Sequence, residues 1–137
     1  MTSREYVGYV RDTILRHGWA IQYVTGDGEP ENPEFAYTVG MSRWDHPEFI
    51  CFRMCPEHAG RSLNRLAEAV VSGRRFDEGD DLADLFPGSS DPGELLRFPD
   101  SSTHLHLAND FYRPAGGRPV PALQFYFPST SPLVRPG

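Results

Sequence analysis

The segment Phe35-Ala-Tyr-Thr-Val-Gly40 and, after a short connection, the segment Glu48-Phe-Ile-Cys-Phe-Arg-Met54 decide how the chain reads. Alternation in the first sends Phe35, Tyr37 and Val39 to one face and Ala36, Thr38 and Gly40 to the other, the pattern of a strand. The second is apolar on both faces, which predicts a central strand covered on both sides. Outward from this pair, Trp19 to Val24 reads as a preceding strand rich in aromatic and β-branched residues, and Thr25 to Pro33 as a polar turn-forming loop. Before it, Tyr6, Val7, Val10, Ile14 and His17 recur at helical spacing, with Ser3 as the expected N-cap and Gly18 as the stop. After it, Pro56 suits a first helical position, Glu57 favours the positive end of the helix dipole, and Gly73 ends the helix. Between them Ala59, Leu63, Leu66, Ala67 and Val70 form an apolar stripe.

The remainder is more broken. Residues 74 to 91 are acidic and Gly-rich, with Leu82, Leu85 and Phe86 as apolar pins. Glu94 to Phe98 suits a short strand. Ser101-Ser102-Thr103 reads as the cap of a short helix from His104 to Tyr112, and Arg113 to Pro119 as a Gly/Pro loop. Val120 to Phe127 reads as a last strand, which Pro121 places near an edge or a bulge. Without regular strand–helix–strand alternation and with short links between the first three strands, the expectation is an α+β fold. It has a mostly antiparallel sheet, two main helices and one short helix. Residues 1–128 are expected to form one such domain, followed by a flexible Pro-rich tail at 129–137.

The chain has 137 residues, enough to bury about two-thirds of its extended surface without staples. Its 13 cationic residues are all Arg, and the net charge is −6. The one tight basic pair, Arg74-Arg75, runs straight into Asp77, Glu78, Asp80 and Asp81, which argues against nucleic acid and against an anionic membrane surface. The first residues lack the basic flank and apolar run of a secretory signal, and no apolar run reaches membrane-spanning length, so the expected location is the cytoplasm. Cys51 and Cys55 read as buried structural thiols. On an extended strand their Cα atoms would lie roughly 13 Å apart, beyond the limit of about 7 Å for a disulfide.

There is no phosphate-binding loop, nucleophile elbow, zinc-protease motif or dinucleotide fingerprint. His104 and His106 would share a face on a strand. On the expected helix they lie about 200° apart, so neither a metal nor a cofactor is assigned. The informative feature is His46-Pro47-Glu48, at the edge of the central strand. An imidazole and a carboxylate so placed can transfer a proton or orient a substrate, with His46 as the proton-transfer or hydrogen-bonding group and Glu48 as its partner or a second acid. Gln22 and Gln124 lie in otherwise apolar strands, where amides often line ligand pockets. With Thr38 they make candidate polar anchors. Trp19 and Tyr37 are candidate aromatic walls, and Arg43 a receptor for an anionic group.

Gly18-Trp19, Phe35-Ala-Tyr-Thr-Val-Gly40-Met, His46-Pro-Glu48, Leu63-Asn64 and Ala122-Leu-Gln124 together resemble a bacterial family, domain of unknown function number 4262. The resemblance spans nearly the whole chain, with Tyr-Thr-x-Gly…His-Pro-Glu as its specific part. It implies a cytoplasmic bacterial single domain and brings no reaction with it. The family's final strand runs into a Pro-Asp turn and an acidic, aromatic tail, where this chain has Pro128-Ser-Thr-Ser. Two functional readings follow from the residues. The first is a small-molecule site used for binding or cofactor-independent acid–base chemistry. The second is an interaction module that meets its partner through the acidic segment and the Pro-rich tail. A homodimer through a strand edge is compatible with both.

Overall fold

The computed structural model describes residues 2–128, and the expected tail at 129–137 lies outside them. Five strands form one sheet: β1 (Ala20–Val24), β2 (Phe35–Val39), β3 (Glu48–Phe52), β4 (Glu94–Arg97) and β5 (Ala122–Tyr126). Their spatial order is β1-β2-β3-β5-β4. The first three pair antiparallel, as does β4 with β5, but β3 and β5 run parallel, with Glu48 opposite Ala122 and Ile50 opposite Gln124. The α+β expectation stands, with a mixed sheet in place of a mostly antiparallel one. The parallel pair is accommodated by the long crossover from β3 to β5, far more chain than a tight turn would supply.

Helix α1 (Ser3–His17) is capped by Thr2, whose hydroxyl accepts from the Glu5 N–H at 3.1 Å, one residue earlier than expected. Gly18 ends it at φ 98° and donates to the Ile14 carbonyl. Helix α2 (Pro56–Val71) begins at the expected proline. The expected short helix from His104 to Tyr112 is instead two, α3 (Ser101–His104) and α4 (His106–Tyr112), separated by the non-helical backbone of Leu105. The Leu105 side chain is fully buried, and the Asn109 amide donates to the Ser101 and Leu105 carbonyls across the break.

Two cores lie against opposite faces of the sheet. Leu63, Leu66 and Val70 of α2 pack on Phe49, Cys51, Leu123 and Phe125, with Phe76 and Leu82 of the acidic segment joining them. On the other face Val10 and Ile14 of α1, with Leu105 and Ala108, cover Tyr37, Ile50, Phe52 and Ala122. Coverage on both faces explains why all five residues of β3 are buried. Strand β5 is also interior, flanked by β3 and β4, so the edge position expected from Pro121 is not observed. Pro121 lies one residue before the strand, where no N–H is required of it, and its carbonyl accepts from the Glu48 N–H. Of the two thiols expected in the core, Cys51 is buried. Cys55 is exposed at the start of α2, its sulfur 3.4 Å from Nδ1 of His58. No helix among the described residues is long and apolar enough to cross a membrane.

Candidate functional site

Between β2 and β3 the chain turns through Gly40 and a single 3₁₀ turn, Met41–Trp44. Gly40 sits at φ 140°, and a Cβ there would fall 2.9 Å from the Trp19 Cα and 3.0 Å from the Gly18 carbonyl oxygen, so only glycine fits. Glycine cannot cap the turn that follows it, and Glu48 supplies the missing acceptor from the far side. Its carboxylate accepts from the N–H groups of Gly40, Met41 and Ser42 at 3.0–3.2 Å, and from the hydroxyls of Thr38 at 2.8 Å and Ser42 at 2.9 Å. Thr38 in turn accepts from the Phe49 N–H at 2.9 Å, where β2 and β3 diverge. Glu48 is completely buried. Burial raises its pKa, and the hydrogen bonds from Thr38, Ser42 and Met41 oppose that rise.

His46 does not contact Glu48 in the way a proton-sharing pair would. Its Nδ1 lies 2.8 Å from the Pro47 carbonyl, and its Nε2 accepts from the Phe76 N–H at 2.9 Å. That pair of partners requires a neutral ring protonated on Nδ1. Burial lowers the pKa, against the upward pull of the Pro47 carbonyl. The ring packs between Phe49 and Phe76, at centroid distances of 5.4 and 6.0 Å. Its neighbour Arg75 donates to the Trp44 carbonyl at 2.5 Å and to the Asp45 carbonyl, holding the turn from behind.

The other residues singled out by sequence are dispersed. Gln22 accepts from the Tyr6 hydroxyl, and the Tyr37 hydroxyl accepts from the Leu107 N–H at 3.0 Å, so the two tie α1 and α4 to the sheet. Burial pushes the Tyr37 phenol up to about 12. Gln124 is buried in β5, in one cross-sheet row with Gln22, Tyr37 and Ile50. Trp19 donates to the Asn64 side chain of α2 at 2.8 Å and lines a separate groove. Arg43 donates to the Ile14 and Gly18 carbonyls at the end of α1, where a cation complements the helix dipole. His104 meets Phe35, Phe52 and Phe98 edge-on, His106 is exposed, and no cluster among the described residues could hold a metal.

One cavity adjoins the His46 turn. It has a volume of about 380 Å³ and opens where the chain enters the parallel strands β3 and β5. One wall is Ser42, Asp45, His46 and Pro47. The other is Tyr112, Pro114 and the segment Arg118 to Pro121. Both walls are held by internal bonds. The second is fixed by Asn109, which accepts from the Val120 N–H at 2.8 Å, and by Ser101, which donates to the Val120 carbonyl at 2.6 Å. Arg113 donates to the Gly117 carbonyl, closing the loop. The hydroxyl of the half-buried Tyr112 and the charged groups of the exposed Asp45 and Arg118 make no side-chain hydrogen bond or ion pair among the described residues. Burial raises the Tyr112 pKa, with the Glu48 charge adding to it. Tyr112 and Arg118 escaped the sequence reading because nothing local links them to His46. The one local signal is an arginine directly before Pro119-Val-Pro121.

A family model described as "Domain of unknown function (DUF4262)" matches residues 13–131. The chain belongs to the DUF4262 family. Within this DUF4262 domain the motif Tyr37-Thr-Val-Gly40…His46-Pro-Glu48 is the segment that builds the Glu48-capped turn and one wall of the cleft. No curated protein and no solved structure matches the chain.

Proposed function

We propose that this domain binds a small molecule in the cleft between the His46 turn and the Tyr112–Pro121 segment. The observation that carries the reading is a concave site of about 380 Å³ whose walls are already braced and whose lining holds the Tyr112 hydroxyl, with no hydrogen-bond partner among the described residues. A polar group in such a position is a ready partner for a ligand, and the volume lies in the range of small-molecule sites. Prolines at 47, 114, 119 and 121 line the cavity with fixed backbone, which reduces the ordering that binding would otherwise cost. Binding is favoured over acid–base catalysis because His46 uses both ring nitrogens and Glu48 already accepts five hydrogen bonds. Thr38, Gln22, Tyr37 and Gln124 then support the scaffold, and Ser42 and His46 contribute to the wall.

The test is a fragment library screened against ¹⁵N-labelled protein. Binding fragments are expected to shift the amides of Ser42, Asp45, Tyr112 and Arg118, and Tyr112→Phe is expected to weaken them without loss of fold. Hits that map elsewhere, or none at all, would overturn the assignment.

A further inference from the structure

The cleft has an unusual charge inventory for a protein of net charge −6. Leaving aside the neutral His46, its lining carries one acid, Asp45, and one base, Arg118. These two do not pair with each other within 4 Å, and neither has another side-chain partner among the described residues. The other charged groups nearby are occupied: Arg43 and Arg75 donate to backbone carbonyls, and Glu48 holds the turn. Asp45 and Arg118 come from different segments of the chain, so the lining offers one anionic and one cationic group together with proline rings and Val120.

We infer that the cleft takes a small zwitterion, an L-α-amino acid, with its carboxylate toward Arg118, its ammonium group toward Asp45, and its side chain against the prolines. This rests on the cleft being a ligand site and names what that site selects. A planar guanidinium fork matches a carboxylate in two-point geometry, and an exposed carboxylate is the natural acceptor for an ammonium group. A bare anion would approach against the overall negative field of the protein, and a bare cation would find many other acidic sites along the 77–91 segment. A neutral molecule with two separated charges suffers neither handicap. The Asp45 backbone that carries this carboxylate is fixed, left-handed at φ 55° with its carbonyl bonded by Arg75.

The twenty common L-amino acids, screened singly by saturation-transfer NMR, test the inference on the full chain. At least one is expected to bind, and its N-acetyl derivative and its methyl ester are each expected to bind at least tenfold more weakly. Asp45→Asn should abolish discrimination against the N-acetyl form alone, and Arg118→Gln discrimination against the ester alone. The inference is overturned if none of the twenty binds, or if acetylation and esterification change nothing. Fragments that still map to the cleft in that event would leave the ligand site standing and remove only its assignment to amino acids. Their failure as well would remove both.

Discussion

At His46 the protein uses both ring nitrogens at once, one toward the Pro47 carbonyl and one accepting from the Phe76 N–H. Adding a proton to Nε2 would set N–H against N–H in a buried site, so the charged ring cannot keep the Phe76 bond. The pKa is lowered in the folded chain relative to the ordinary value of 6.5. His46 therefore contributes stability that is fully present above pH 6.5 and is lost as pH falls through its lower folded value. Urea unfolding at pH 7.5 and at pH 5 should show the wild type losing about 1 kcal/mol more than His46→Gln, the scale of one buried hydrogen bond. Glutamine can accept from Phe76 and does not titrate. Equal losses in the two proteins would show that the ring does not titrate against the fold. In sequence, His46 and Glu48 read as a pair because they are two residues apart. Their actual partners, Phe76 on one side and the turn amides on the other, could not be read from that spacing.

The β2–turn–β3 element depends on a carboxylate acting at a distance from the backbone it caps. Residue-level propensity predicted both strands correctly to within a residue or two. It gave no account of who satisfies the amides of Gly40, Met41 and Ser42, because no capping side chain precedes them. Glu48 does so from the start of the next strand. Glu48→Gln replaces one accepting oxygen with an NH₂ that faces donors, and should cost about 3 kcal/mol by denaturant unfolding, the range for breaking a buried charged network. Thr38→Ser, which keeps the hydroxyl between Phe49 and Glu48, should cost well under half of that. A loss below about 1 kcal/mol for Glu48→Gln would mean the turn is held by other means.

For the whole molecule, the cleft exists because β3 and β5 enter the sheet side by side and in the same direction, which brings His46-Pro47 next to Pro119–Pro121. Asn109 joins the helical cover to that arrangement, bonding the Ser101, Leu105 and Val120 backbones together. Asn109→Ala should lower stability by about 2 kcal/mol through the orphaned Val120 amide and speed hydrogen exchange at Val120, while the amides of β1 and β2 stay protected. Uniform loss of protection would place Asn109 in the global core instead. The amino-acid sequence by itself determined the α+β class, the strands and the two long helices. Those are written in periodicity and local stereochemistry, which act over a few neighbouring residues. The direction of β5, the division of the short helix, the exposure of Cys55, the partners of His46 and the meeting of Asp45 with Arg118 across one cavity were decided only by tertiary structure. Each depends on contacts between segments far apart in the chain, and local pattern carries no information about which distant surface will satisfy a given donor, acceptor or apolar face.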